Sequence, residues 1–274
     1  MTFVLKYKEM ENIVGYLASG LIGISLGLIG GGGSIITIPV LVYLFHIEPT
    51  LATAYSLFIV GATSLVGGVR SGLNKMVDIK SAILFSIPST IAIYLTRHYL
   101  LPHIPDTILT LDSFILTKNI AIMILFAIIM MAASVRMIID KQKDTGENNL
   151  ITPSLFMILL QGLIVGVLSG IVGAGGGFLI IPALVLLAGL PMKKAIGTSL
   201  IIIAVNSLVG FLGDFHILTQ IDFPFMLILS VLAIAGVFLG TYLSRFVKGN
   251  ILKSGFGWFA LLMAIYIVVK EILI

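Results

Sequence analysis

Four consecutive glycines, Gly30 to Gly33, precede Ser34 and a short apolar stretch that contains Pro39. A second run, Gly173-Ala174-Gly175-Gly176-Gly177, stands before Pro182 in the same way. Each glycine costs about 1 kcal/mol in a helix interior relative to alanine, so a repeated run followed by proline marks a helix break. Close helix packing alone would need only spaced small residues. A break offers backbone chemistry: the N–H groups and positive dipole end of the following helix, reachable because glycine lacks a Cβ. The ligand class suited to such a site is a small anion. The candidate binding residues are therefore Gly30, Gly31, Gly32, Gly33 and Ser34 in the first run and Gly173, Gly175, Gly176 and Gly177 in the second.

The segments that follow add hydroxyls and an amide: Ser56 and Thr63 in one, Thr198, Ser199 and Asn206 in the other. Ser56 and Thr63 are seven apart, as are Ser199 and Asn206, so each pair stands on one helix face two turns apart. A hydroxyl can bond the carbonyl of its own preceding turn. Asn206 has no such option and must face a partner or a wet cavity. Arg70 and Asp214, at the ends of these two segments, are candidate gating charges, against the simpler reading that helix-end charges reach for the interface. Lys193 and Lys194 suit cytoplasmic anchors that also attract anions.

Other chemistries find little support. Neither glycine run follows a strand of a soluble βαβ unit, which excludes a dinucleotide loop. There is no cysteine, and His46, His98, His103 and His216 show no ligand spacing, so no metal site is expected. No acid–base pair or activated nucleophile lies within the apolar segments, so neither catalytic residues, an enzyme nor a cofactor is expected.

What must position these residues is a membrane scaffold. The 274 residues are 59% hydrophobic and 10% charged, with a mean hydropathy of +1.18, far from a soluble domain. The start of the chain, with Lys6, Lys8, Glu9 and Glu11, does not read as a removable signal peptide. The net charge of +4 comes from basic residues in short loops, which argues for topology signals rather than nucleic acid.

Shifting the chain by 143 positions superimposes the glycine runs and the prolines, and 17 of the 41 positions from Gly27 to Gly67 are then identical. The chain is a duplication, read as a tail (1–12), a first repeat (13–139), a polar linker (140–150) and a second repeat (151–274). Each repeat contains five apolar elements, near 13–29, 34–45, 51–70, 79–100 and 115–138, and near 155–172, 177–189, 195–213, 222–246 and 251–273. The second element of each is too short for the roughly 17–25 residues of a spanning helix and fits a half-helix or re-entrant segment. If each half changes side an odd number of times, one side of the membrane receives eleven Lys and Arg residues, including Arg70, Lys75, Lys80, Lys193 and Lys194, and the other five. Four crossings per half remove the bias. The positive-inside rule thus selects inverted repeats with a cytoplasmic linker. The expected fold is an all-α polytopic protein of the cell membrane, with broken helices at the glycine motifs.

The duplicated "GLIGGGGSIITIP" and "GIVGAGGGFLIIPAL", followed by "ATAYSLF" or "AIGTSLI" and then by "SLVG", resemble the TauE/SafE family of membrane permeases, also known as the 4-toluene sulfonate uptake permease family. The resemblance covers nearly the whole chain. It implies transport, without ATP, of sulfur-bearing anions such as sulfite or organosulfonates, with or without a coupling proton or ion. Carried onto this sequence, its motif positions are Gly30 to Ser34 with Pro39, Gly173 to Gly177 with Pro182, and the regions of Ser56 and Ser199. A passive anion channel and a transporter of another small anion or of a cation are the alternatives, the last disfavoured because neither break contains Asp or Glu.

Overall fold

The computed structural model describes residues 2–111, 114–139, 155–173, 175–186, 189–214, 217–244, 246–247 and 249–273. The first half comprises α1 (Thr2–Ile29), α2 (Gly32–Pro39), α3 (Pro49–Leu73), α4 (Ile79–His103) and α5 (Lys118–Ile139). The second comprises α6 (Leu155–Val172), α7 (Gly177–Leu186), α8 (Met192–Gly213), α9 (Phe223–Leu243) and α10 (Gly249–Leu273). The expected elements are thus present as helices. Helix α1 begins at Thr2, so the stretch expected as a tail is helical. A hairpin of β1 (Thr107–Leu111) and β2 (Phe114–Thr117) precedes α5; its β-branched Thr and Ile residues and Phe114 suit strands, and α5 therefore starts at Lys118 rather than at 115. The linker 140–150 lies outside the described residues.

Both short helices turn back on their predecessors. Gly33 of α2 packs against Ile22 and Leu26 of α1, and Phe45, beyond the π-helical turn Val40–Leu44, reaches Tyr16 with a ring separation of 5.9 Å. In the second half Gly176 packs against Val165 and Ser169 of α6. Each half therefore opens with a helical hairpin whose bend is the glycine run.

The long equivalent helices α3 and α8 pack side by side in opposite directions: Gly197, near the start of α8, meets Ser71 near the end of α3, while Gly61 meets Ser207 and Leu208. The remaining contacts exchange between halves. Helix α1 packs on α9 and its equivalent α6 on α4; α3 packs on α9 and α8 on α4; α5 packs on its own equivalent, α10. Glycines permit the closest approaches. A Cβ at Gly27 would lie 2.6 Å from the Val237 carbonyl of α9, and one at Gly166 2.5 Å from the Ser89 carbonyl of α4, the small-residue packing of membrane helices.

Among the described residues five helices are long and apolar enough to cross a membrane: α3, α4, α8, α9 and Lys118–Val135 of α5. Helices α3 and α8 bury 72% of their apolar stretch and form the centre, whereas α4 and α9 bury only 39%. On α4 the exposed side is a stripe of Ile79, Ile83, Ile87, Ile91 and Leu95, four apart and 48–68% exposed. In water such a face would aggregate; in hydrocarbon it is solvated.

Two acidic residues start helices in the loops. Asp78 caps α4 by accepting from the Ser81 N–H at 2.9 Å, and Asp222 caps α9 by accepting from the Phe225 N–H at 3.1 Å. Each cap is tied to the other half: the Asp78 N–H donates to Thr198 Oγ1 at 2.9 Å and the Asp222 N–H to the Tyr55 hydroxyl at 2.6 Å. Bonds from Ser81, with Lys194 and Lys80 nearby, hold the Asp78 carboxyl below the usual carboxylate range. Replacing Asp78 by Ala should cost about 1 kcal/mol at neutral pH. Because the folded-state pKa is depressed, the contribution persists above the unfolded value and is lost as pH falls through the folded one. Thermal unfolding of wild type and variant should therefore differ at neutral pH and converge in acid.

Candidate functional site

The two glycine breaks come together at the centre of the helix bundle. Gly30 turns with φ +80°, Gly31 precedes α2, and α2 begins at Gly32. On the other side Gly173, Gly175 and Gly176 have φ +73°, +61° and +75°, and α7 begins at Gly177. These left-handed angles are accessible to glycine at little cost. Ser34 and Gly177 are equivalent positions in the duplication, and they meet: a Cβ on Gly177 would lie 3.2 Å from Ser34 Oγ and 3.0 Å from the Gly31 Cα. The N-termini of two half-helices thus converge, one from each hairpin. A helix N-terminus leaves its first N–H groups without intrahelical acceptors, although at α7 the Leu179 and Ile180 N–H groups already donate to the Gly176 carbonyl at 2.9 and 2.8 Å; each end carries ~0.5 positive charge.

Side chains of α3, α6 and α8 line the breaks. Ser199 Oγ lies against Gly30, Thr53 against Gly173, Ser207 Oγ against Gly175 and Ser169 Oγ against Gly176. All four side chains are fully buried. Ser34 donates to the Gly31 carbonyl at 2.7 Å, Thr63 to the Ile59 carbonyl at 2.5 Å and Ser199 to the Ile196 carbonyl at 2.9 Å, so these hydroxyls are satisfied by their own turns. The hydroxyls of Ser56, Ser64, Ser169 and Ser207 and the Asn206 amide nitrogen are buried without a partner among the described residues. Buried polar groups are seldom left so. Ser64, Ser169 and Ser207 were missed as site residues from sequence, although "SLVG" places Ser64 and Ser207 at equivalent positions in the duplication. That shared serine was the available signal.

Asn206 has its partner in α4, where its Oδ1 accepts from Ser89 at 3.0 Å and Thr90 at 2.6 Å. Removing the amide by Asn206→Ala takes this acceptor from the Thr90 hydroxyl, while Ser89 keeps its bond to the Phe85 carbonyl at 2.7 Å, and should destabilise the protein by about 1–3 kcal/mol, measurable as a lower unfolding midpoint in detergent. Thr198 acts in the Asp78 cap rather than at the breaks.

Arg70 and Asp214 are not brought together. Arg70 lies at one end of the α3–α8 pair, its guanidinium 5.2 Å from the Phe238 ring, and lines a cavity of about 340 Å³ with Asn74, Lys193 and Ser244. Asp214 is at the opposite end, buried, in an ion pair with Arg97 of α4. A cavity of about 210 Å³ there is lined by Arg97, Asp214, Glu48, Lys118 and Gln220. Each cavity adjoins one break: Ile196 of the first touches Gly30, and Arg97 of the second donates to Thr53, which touches Gly173. Among the described residues no three His, Asp or Glu side chains gather at metal-binding distance.

A lipid-facing helical bundle whose centre is a pair of opposed helix breaks, with a vestibule at each end, defines a multi-pass membrane transporter. The chain belongs to the sulfite exporter TauE/SafE family, whose model matches residues 16–267. Relatives include a probable membrane transporter protein of Xylella fastidiosa, 27% identical over 258 residues that cover 92% of both chains. Another is the probable membrane transporter protein YunE of Bacillus subtilis, 29% identical over 70% of this chain and 74% of its own. A third, from Haemophilus influenzae, is 25% identical over 98% of this chain and 99% of its own. No solved structure matches the chain.

Proposed function

We propose that the chain is a secondary transporter, a permease or exporter working without ATP, for a small sulfur-containing oxyanion such as sulfite or an organosulfonate. The observation that carries this reading is the convergence of the α2 and α7 N-termini at Ser34 and Gly177, among buried hydroxyls that have no partner among the described residues. Together the two ends present about one positive charge, the complement of a monoanion. Neither break supplies a carboxylate. A sulfonate or sulfite group offers several acceptor oxygens, which N–H and O–H donors can bind and which a cation lacks.

The halves are inverted repeats in this reading, with the two hairpins entering the membrane from opposite faces as re-entrant segments. Support comes from the antiparallel α3 and α8, which bring Arg70 and Lys193 of different halves to one end, in keeping with the positive-inside rule. Cysteines replacing Asn74 and Lys193 should be labelled only from the cytoplasm, and those replacing Glu48 and Gln220 only from outside; labelling of Asn74→Cys and Glu48→Cys from one face would sink the topology.

The function is tested by the thermal stability of the purified protein in sulfite, thiosulfate, sulfoacetate, taurine, sulfate and carboxylates. Selective stabilisation by a sulfur oxyanion is expected. Equal response to carboxylates, or to Na⁺ alone, would count against it, as would vesicle flux that fails to saturate, which is the behaviour of a passive channel.

A further inference from the structure

The ion pair at the Asp214 end is anomalous in a duplicated protein. In the repeat frame Arg97 corresponds to Gly240 and Asp214 to Ser71, so the other end of the bundle is built with neither charge. The backbone differs as well. Arg97 sits in a π-helical turn, Thr96–Leu100, whereas α9 is α-helical through Leu243, and such turns often mark functional sites. The Arg97 side chain is fully buried. Its Nε donates to Asp214 Oδ2 at 2.9 Å, one terminal nitrogen pairs with the same oxygen, and the other donates to Thr53 Oγ1 at 2.9 Å and the Gly170 carbonyl at 3.2 Å. Thr53 in turn packs on Gly173. The guanidinium therefore stands between the second glycine break and the vestibule at that end.

We infer that Arg97 is a second oxyanion subsite, occupied in this conformation by the protein's own carboxylate, Asp214. A buried pair of this kind is a poor device for stability, since apolar residues of similar size commonly serve as well; the symmetry-related end, with Gly240 and Ser71, shows that this fold manages without it. A buried guanidinium does need a counter-charge, however, and its planar fork accepts a sulfur oxyanion as well as a carboxylate. When the transported anion takes the place of Asp214, the contact between α4 and α8 opens and the path from break to vestibule is continuous. With Asp214 on Arg97 that end is closed, while the Arg70 vestibule at the other end has no carboxylate among its lining residues. The subsite rests on the proposed anion substrate, but it is tested without transport.

The test is sulfite binding to purified Asp214→Asn. With the internal anion removed, sulfite should bind about tenfold more tightly or better than to wild type, the scale of a charge-assisted bond to a buried guanidinium, and thermal stability should become strongly sulfite-dependent. If the variant can be isolated only in the presence of sulfite, that dependence is itself the expected result. The neutral pair Arg97→Gln with Asp214→Asn should fold without sulfite and lose the gain. Unchanged sulfite affinity in Asp214→Asn, or a gain that survives in the neutral pair, overturns the subsite. Either outcome leaves the glycine breaks to be judged by transport in their own variants, so the two readings fail separately.

Discussion

Gly175→Val should abolish transport. The position has φ +61°, which costs a residue with a Cβ roughly 1–2 kcal/mol, and a Cβ built there collides with Ser207 Oγ. Valine adds two methyl groups at the point where the second break faces α8, covering the backbone donors and displacing the Ser207 hydroxyl. Stability loss and loss of function are separated by a second variant, Gly175→Ala combined with Ser207→Gly, which relieves the collision. Its insertion and unfolding midpoint should recover much of the wild-type value, while vesicle uptake of sulfite stays well below that of Ser207→Gly alone because the Cβ still screens the break. Normal uptake in either variant would show that the backbone face of Gly175 is not used.

The sequence exposed the duplication, the helix breaks and the short half-helices because glycine and proline act locally: where four glycines stand together, no tertiary context makes a continuous helix favourable. The meeting of Ser34 and Gly177 is made by packing between the two halves, which neither glycine run specifies alone. The hairpin geometry was left open, since a dozen apolar residues read the same whether they tilt across or fold back; the choice is made by packing, Gly33 on Leu26 and Phe45 beside Tyr16. The sequence also hid the partner of Asp214. Arg97 stands near the end of an apolar run, where a cation ordinarily reaches the headgroups, and nothing local says that it turns inward. Its carboxylate is 117 residues away, a pairing made only when α4 packs on α8. Thr63 and Ser199 proved to be satisfied by their own turns, whereas Ser207, which looks equally ordinary in sequence, has no partner among the described residues.

Arg97→Ala should be the most destabilising single change in the centre of the bundle. It deprives Asp214, 2% exposed, of the guanidinium it pairs with, and removes the hydrogen bonds to Thr53 and the Gly170 carbonyl. Breaking a buried pair by removing one partner costs about 3–5 kcal/mol, a large part of the stability of an ordinary protein. Adding Asp214→Leu to Arg97→Ala should restore most of the loss, because no buried charge remains. Denaturation in detergent reads both effects. If the single variant unfolds with the wild-type midpoint, the pair is not buried as described; if the double variant is no more stable than the single, loss of packing rather than of charge balance is responsible.

In the proposed transporter an oxyanion is held by the opposed N-termini of α2 and α7. Selenite, the heavier congener of sulfite, tests this directly through its anomalous scattering in crystals of the protein. A selenium peak is expected beside Ser34 and Gly177, within hydrogen-bonding reach of the first-turn N–H groups and of the Ser56 or Ser207 hydroxyl. Selenium found only against Arg70 and Lys193, or only against Arg97, with none between the two helix breaks, would contradict it.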